Sequence, residues 1–289
     1  MNYELRTRQS EIKNISDTAK WVAVFRADET KRADAVFKDP FAEKLAGESG
    51  RQMLESIQFS KQNSWSFVAR TYLFDELIKA HIREGYEMVL NLAAGLDTRP
   101  YRMDLPGSLY WVEIDLPEII DYKKQILSNE TPKCKLETIS MNLSGREERM
   151  KLFNHLARDN KKTLIISEGL IIYLTNEEVQ SFAKDLSVPF NFHRWVVDLA
   201  SPSLLSLLQK EMGSPLNKAD APLKFAPEEG EEFFVKCGWK PVESFTLIKT
   251  AAKLNRLPDE LLAFASIPET KGTKRDMPWS GVCLLERSA

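Results

Sequence analysis

Cysteine is scarce in this 289-residue sequence, and long apolar segments are missing. The three cysteines, Cys134, Cys237 and Cys283, lie far apart and form no CxxC pair, which argues against a disulfide framework or a cysteine-ligated zinc site. The first residues, MNYELRTRQSEIK, contain no apolar core of about 7–15 residues and do not resemble a secretory signal. No apolar stretch approaches the ~20 residues that cross a bilayer. We therefore expect a soluble protein of the reducing cytoplasm, without a membrane partner.

Charge of one sign is not in excess either. The 40 Lys and Arg residues against 42 Asp and Glu residues give a net charge of −2, so no broad electrostatic footprint for nucleic acid is visible. The three histidines, His81, His155 and His193, fall in no metal-ligand or catalytic-triad spacing. The sequence therefore predicts no nucleic-acid partner and no metal site.

Short apolar runs that alternate with helical patterns indicate the fold class. Runs rich in β-branched or aromatic residues are typical of buried strands, and helical patterns lie between several of them. Strand, helix and strand at this spacing imply right-handed crossovers and a mainly parallel sheet. We predict an α/β, Rossmann-like doubly wound sheet with an antiparallel edge strand. The predicted strands are 87–92, 109–114, 135–140, 163–168, 194–199, 242–250 and 280–287, and the predicted helices are 16–32, 64–85, 116–129, 146–160, 175–187, 201–213 and 228–239.

The pattern also divides the chain into two parts. Residues 1–85 contain no convincing strand and are predicted to form an N-terminal helical extension that covers the site, either as a lid or as ordinary packed helices. Residues 86–289 would form the Rossmann-like core, with a substrate-side insertion around 201–230 that includes a proline-bearing loop, 214–230.

Polar residues follow several predicted strands, at the ends where open α/β sheets bind their ligands. Gly95 in NLAAGLDTRPYR (91–102) permits a tight turn, and Asp115, twenty positions later, stands where nucleotide-binding folds place an acid for the ribose hydroxyls. AAGLDT lacks the GxGxxG glycines that cradle a pyrophosphate, and Asp97 would repel a phosphate. These features predict a phosphate-free, cationic nucleoside, a description that S-adenosylmethionine fits.

Five segments together carry a resemblance to a known family. They are TAKWVAVFRADET with KDPFAEKLAG (18–47), ARTYLFDELI (69–78), NLAAGLDTRPYR, WVEIDLPEIIDYKKQIL (111–127) and EGLIIYLTNEEV (168–179). In order and spacing the sequence resembles the S-adenosylmethionine-dependent methyltransferases of the leucine carboxyl methyltransferase-like family, in its bacterial polyketide O-methyltransferase-like branch. The resemblance implies a Rossmann-like fold and S-adenosylmethionine as the cofactor.

Carried over residue by residue, the resemblance assigns roles within the site. It implies that Arg70 binds the methionine carboxylate, that Gly95 lies beside the methionine moiety and that Asp115 binds the ribose. It further implies that Asn142 and Leu143 lie beside the adenine. Glu168 would face the methionine ammonium group or the reaction centre.

The sequence leaves alternatives at two further positions. Asp97 is either a cofactor-binding residue or a cap and partner for Arg99 or Arg102. Tyr173 either orients a substrate oxygen, as a catalytic residue beside Glu168, or packs.

The expected function is O-methyl transfer from S-adenosylmethionine to a carboxylate or hydroxyl oxygen of a small molecule or an accessible carboxyl group. No base at a recognisable spacing is visible, which favours a carboxylate, because a carboxylate is already a nucleophile at pH 7. Ala93 and Asn142 depart from the family's usual glycine and aspartate, and they keep open a non-catalytic nucleoside sensor. A nicotinamide-dependent oxidoreductase is disfavoured by the missing glycines.

Overall fold

The computed structural model describes residues 15–56, 62–218, 221–269 and 277–288. The start of the predicted extension, including the segment judged not to be a secretory signal, lies outside these residues. Within the described ranges, no helix combines the length and apolarity needed to cross a bilayer. The strands are β1 (Met88–Leu92), β2 (Tyr110–Asp115), β3 (Lys135–Ser140), β4 (Thr163–Ser167), β5 (Phe192–Ala200), β6 (Trp239–Thr246) and β7 (Ser280–Arg287).

The helices are named in chain order. They are α1 (Ile15–Lys31), α2 (Ala42–Ser56), α3 (Ser64–Arg83), α4 (Arg99–Arg102), α5 (Pro117–Ile126), α6 (Arg146–Ala157), α7 (Asn176–Ser187), α8 (Pro202–Lys218), α9 (Leu247–Lys253) and α10 (Leu262–Ala265). Within the described residues, 3-10 helices span Ile171–Tyr173, Gly230–Cys237 and Asp259–Leu261.

All seven strands form one sheet in the order β3-β2-β1-β4-β5-β7-β6. Strands β1 to β5 pair in parallel, whereas β7 pairs antiparallel with both β5 and β6. The chain therefore winds outward in both directions from β1, and the carboxyl ends of β1 and β4 meet at the centre of the sheet. This confirms the predicted fold class, including the antiparallel edge.

The two faces of the sheet bury separate apolar clusters. Along β1, Met88, Leu90 and Leu92 face a cluster with α6 and α7, while Val89 faces the opposite cluster with α3 and α9. Helices cover both faces of the central strands, so β1 and β4 are buried at every position and are mainly apolar. A third cluster joins α1, α2 and α8.

The C-terminal part differs from the sequence prediction in three places. The predicted strand 242–250 is wrong in its second half, because β6 ends at Thr246 and α9 follows, with Leu247 and Ala251 buried one helical turn apart. The predicted helix 228–239 is a 3-10 helix, which ends at Gly238 in the left-handed conformation. Helix α8 extends beyond the predicted 201–213, because fully buried Leu216 anchors its last turn against the third cluster.

The start of α7 provides a test of local stability. Thr175 and Glu178 form a capping box: the Glu178 amide donates to Thr175 Oγ1 at 3.2 Å, and the Thr175 amide donates to Glu178 Oε2 at 2.7 Å. Thr175→Ala removes one acceptor, and we expect the free energy of unfolding in urea to fall by about 1 kcal/mol. Lys184→Ala, an exposed position of the same helix, serves as the control, with a change under about 0.5 kcal/mol. Equal losses in the two variants would contradict the assignment.

Candidate active site at the carboxyl ends of the strands

A cavity of about 760 Å³ opens beyond the carboxyl ends of β1 to β5. Its lining comes from the loops after these strands, from α1 and α3, and from α8 with the segment that follows it. A volume of this size lies within the range of small-molecule sites. All eight predicted site residues line this one cavity: Arg70, Gly95, Asp97, Asp115, Asn142, Leu143, Glu168 and Tyr173.

The turn after β1 brings Gly95 against Asp115. Gly95 adopts a φ of 54°, which glycine tolerates at little cost, and its amide donates to Asp115 Oδ2 at 2.6 Å. The Leu116 amide donates to the other oxygen, Oδ1, at 2.7 Å. Burial raises the pKa of Asp115 above its usual value, and these two backbone hydrogen bonds oppose the rise. The carboxylate of Asp115 is therefore fixed in orientation at the cavity wall.

Asp97 caps and pairs, which is the second of the alternatives left by the sequence. Its Oδ1 accepts from the Arg99 amide at 2.8 Å, and its Oδ2 accepts from Arg99 Nη1 and Asn91 Nδ2, each at 2.8 Å. Burial alone would raise the pKa of Asp97, but the positive charges of Arg99, Lys123 and Arg102 and the hydrogen bond from the Arg99 amide together outweigh it and hold that pKa well below its usual value. Asp97 nevertheless lines the cavity.

Arg70 reaches from α3 into the cavity between two carboxylates. Its Nε donates to Glu168 Oε1 at 3.1 Å and its Nη1 donates to Asp198 Oδ2 at 3.0 Å. The other oxygen of Asp198 accepts from the Gly169 amide at 2.8 Å. Burial raises the pKa of Asp198, and Arg70 opposes that rise. The guanidinium plane of Arg70 is thus oriented by side chains of the protein itself.

Arg99 connects Arg70 and its two carboxylate partners to the rest of the site. Its Nη2 donates to Glu168 Oε2 at 2.8 Å, and its Nε donates to Asp75 Oδ1 at 2.6 Å. Both oxygens of Asp75 also accept from Arg102, each at 2.7 Å. The network holds three guanidinium groups and four carboxylates, so it carries one surplus negative charge when all are ionised: Arg70, Arg99 and Arg102 against Asp75, Asp97, Glu168 and Asp198.

The loop after β3 presents Asn142 and Leu143 to the cavity through a tight turn. Asn142 Oδ1 accepts from the Ser144 amide at 3.0 Å, and the Leu143 carbonyl accepts from Arg149 Nη1 at 2.6 Å. One lone pair of the Asn142 oxygen is thereby occupied by the backbone.

Tyr173 ends the 3-10 helix after β4 and packs beside the third apolar cluster. Burial raises the pKa of its hydroxyl, and a hydrogen bond with the Thr18 side chain opposes the rise. Glu113, in contrast, does not reach the cavity although it belongs to a strand end. It forms a buried pair with Lys123, at 2.7 Å, and burial raises its pKa to about 7.

The profile of the leucine carboxyl methyltransferase family matches residues 19–187, more than half of the chain. This chain belongs to the leucine carboxyl methyltransferase family. All eight predicted site residues fall inside the matched range, whereas Asp198 lies beyond it. Among the residues that the structure describes, no cluster of side chains is arranged to hold a metal ion.

Two relatives are similar in sequence to this family member over most of its length. A protein of Streptomyces avermitilis is 28% identical over 249 residues, covering 83% of this chain and 87% of its own length. A Frankia alni protein is 28% identical over 263 residues, with the same coverage of the two chains. Both are provisionally named S-adenosyl-L-methionine-dependent methyltransferases.

Two solved structures share the fold of this family member. A DUF574 family protein from Streptomyces avermitilis superimposes with a TM-score of 0.61 at 13% identity, covering 94% of this chain and 97% of that one. A protein from Thermobifida fusca, provisionally described as a methyltransferase, gives 0.59 at 15% identity, covering 97% and 96%.

Sequence reasoning missed part of the site of this family member. Asp198 is the only acid in RWVVDL and lies two positions before β5 ends at Ala200, so the rule applied to the other strand ends points to it. Arg26 of α1 also lines the cavity, held by Asp39 at 2.8 Å and by the Leu96 carbonyl at 2.6 Å. Asp39 additionally accepts from the Thr98 hydroxyl at 2.7 Å. No local pattern relates these partners, because they lie on separate elements.

Ala93 stores backbone strain at the edge of the cavity. Its φ of 53° lies in the left-handed region, where a Cβ is unfavourable. We expect Ala93→Gly to raise the free energy of unfolding by about 1 kcal/mol, measured by urea denaturation without ligand. Ala94→Gly is the matched control, since Ala94 is not among the residues with positive φ, and it should lower that free energy. A loss of stability in both variants would contradict strain at Ala93.

Proposed function

We propose that this chain is an S-adenosylmethionine-dependent O-methyltransferase, acting in the cytoplasm on a carboxylate or hydroxyl oxygen of a small molecule or an accessible carboxyl group. Membership of the leucine carboxyl methyltransferase family and the names of the relatives support the cofactor. The near-neutral net charge of −2 supports a partner other than nucleic acid or an anionic membrane.

The fixed carboxylate of Asp115 is the observation that carries this proposal. A carboxylate offers about four acceptor positions, and the amides of Gly95 and Leu116 use one on each oxygen. The remaining positions suit the paired hydroxyls of a ribose. The neighbouring turn contributes no glycine-rich cradle for a diphosphate.

The charge of the site favours a cationic ligand. The ionic network carries one surplus carboxylate, and Asp115 adds a further acid at the same cavity. The hydrogen bonds that Arg70 makes to described residues use Nε and Nη1, so its Nη2 is available to a ligand carboxylate, as the resemblance implies. Glu168 lies next to Arg70, where it can accept a hydrogen bond from the ammonium group of a ligand. The residues present therefore fit the amino-acid end and the positive charge of S-adenosylmethionine.

The lining of the cavity favours a carboxylate as the methyl acceptor. When bound, S-adenosylmethionine supplies a methyl group on a positively charged sulfur: the acceptor oxygen forms the O–C bond as the S–C bond breaks, and the electron pair of that bond stays with sulfur. The described lining contains no histidine, cysteine or lysine. Its central carboxylates are engaged by arginines. A carboxylate needs no proton removed, whereas a phenol or an alcohol does.

Asp115 provides the test of the cofactor site. Asp115→Ala should weaken S-adenosylhomocysteine binding by roughly 1–3 kcal/mol through lost charged hydrogen bonds. Isothermal titration calorimetry measures the affinity directly. Glu118→Gln, an exposed acid on the following helix that lies outside the cavity lining, is the control and should bind normally. Unchanged affinity in Asp115→Ala would show that the ribose does not bind there.

The acceptor chemistry is tested by the bond that the transferred methyl group forms. The protein is incubated with methyl-labelled S-adenosylmethionine and matched pairs of carboxylic acids and phenols. We expect label in the acids as methyl esters, which mild base releases as methanol. Base-stable label would mean hydroxyl methylation. S-adenosylhomocysteine binding with no transfer to any acceptor would favour the sensor alternative.

A further inference from the structure

A smaller cavity, of about 200 Å³, lies at the opposite ends of the strands from the candidate active site. Its lining includes residues at the amino ends of β1, β4 and β5 and at the end of β7: Tyr86, Lys162, His193, Arg194, Glu286 and Arg287. The chain runs from Lys162 along β4 to Glu168, which is about 20 Å at the rise of an extended strand. A ligand in this cavity would therefore leave the candidate active site free.

Two of the cations in this lining meet no carboxylate. Within the described ranges, the guanidinium of Arg287 forms no hydrogen bond and no ion pair. Lys162 Nζ donates to the Glu84 carbonyl at 3.2 Å and lies 4.2 Å from the centre of the Tyr86 ring. Like charges beside one small cavity repel each other, and an anion between them removes that cost.

The other charges at the cavity leave one positive charge in surplus. Arg194 pairs with Glu286 at 3.3 Å, and the two residues lie opposite each other in the β5–β7 register. Glu84 also lines the cavity, but it is exposed, so water screens its charge. Lys162, Arg194 and Arg287 outnumber these two acids by one. The cavity therefore favours an anion.

The Tyr86 hydroxyl adds a donor whose proton has no acceptor. Tyr86 is only 5% exposed; burial raises the pKa of its hydroxyl, and a hydrogen bond with Arg194 opposes the rise. An arginine can only donate, so the hydroxyl oxygen accepts this bond and its own proton needs a different acceptor. No group in the described part of the chain accepts that proton. Buried tyrosine hydroxyls normally find a partner, and an anion in the cavity would supply it.

We propose that this cavity binds a phosphate group, with Arg287 and Lys162 as its charge partners and the Tyr86 hydroxyl as a further donor. Together with Arg194, these donors come from the ends of β1, β4, β5 and β7, which are consecutive in the sheet. A tetrahedral oxyanion offers acceptors in several directions, whereas a carboxylate has two oxygens in one plane. The volume is below that of sites for drug-sized ligands, which suits inorganic phosphate or a small phosphate ester.

Isothermal titration calorimetry with the unaltered protein tests the ligand class. Inorganic phosphate, glycerol 3-phosphate and acetate are titrated separately at constant ionic strength, because surface charges alone respond to salt. We expect saturable binding of phosphate at one site per chain, and acetate binding that is about 10-fold weaker or more. If glycerol 3-phosphate binds as well, the site accepts a phosphate ester. If it does not, the ligand is the free ion. Both results support a phosphate site.

Two variants locate the bound phosphate. Arg287→Gln removes an unpaired cation and Tyr86→Phe removes the hydroxyl donor. We expect the Kd for phosphate to rise by about 10-fold or more in Arg287→Gln and by a smaller factor in Tyr86→Phe. Arg83→Gln is the matched control, because Arg83 is an exposed arginine at the end of α3 that lies outside the cavity lining. It loses the same charge and should keep the Kd of the unaltered protein.

Nuclear magnetic resonance gives a readout that needs no destabilising substitution. The unaltered protein is labelled with ¹⁵N in its arginines and titrated with phosphate. We expect the Nε signals of Arg194 and Arg287 to move, and those of Arg70 and Arg99 at the candidate active site to stay in place. Arg287→Lys, which keeps the charge, assigns the Arg287 signal. The titration decides the matter even where Arg287→Gln fails to fold.

Any of three results would overturn the proposal. The first is the absence of saturable binding for both phosphate compounds. The second is acetate binding as tightly as phosphate, which would contradict the ligand class. The third is phosphate binding that neither Arg287→Gln nor Tyr86→Phe weakens more than Arg83→Gln does, which would place the ion elsewhere. The inference does not depend on methyl transfer, so it can fail while the proposed function stands.

Discussion

The guanidinium of Arg99 is the group around which the site is arranged. It is 3% exposed and is bound by Asp75 on α3, by Asp97 after β1 and by Glu168 after β4. A buried charge that loses its partners costs several kcal/mol, so the folded chain must hold all three carboxylates against this one cation. The positions of Asp97 and Glu168 at the cavity therefore follow from satisfying Arg99.

The same arrangement fixes the site before a ligand arrives. Arg70 is held by Glu168 and Asp198, and Asp115 is held by two backbone amides. Groups that are already oriented need little reorganisation when charge moves during a reaction. The third cluster, built from α1, α2 and α8, contributes an apolar wall instead of charges. The cavity thus combines oriented charged groups on one side with an apolar wall on the other.

The strands β1, β2 and β4 could be predicted because they are mainly apolar runs that the sheet buries on both faces. The bounds of β6 were not predicted correctly, since it is an edge strand with a mixed pattern of burial, and the switch to α9 depends on packing of Leu247. Within the site, Gly95 and Asp115 were predicted from the sequence by the spacing between them within one βαβ unit. The partners of Arg99 were not, because Asp75 and Glu168 lie 24 and 69 positions away in sequence. Local patterns indicate which residues stand at strand ends, while the pairing of buried charges depends on the assembled fold.

The strand order has a consequence for synthesis of the chain. β7 lies between β5 and β6 in the sheet, although it is made after both of them. When β6 leaves the ribosome, the edge of β5 that it would approach is still reserved for a later segment, so β6 cannot yet dock. A nascent chain therefore exposes the open edge of β5 until β7 is made, and an unpaired edge invites association with other chains.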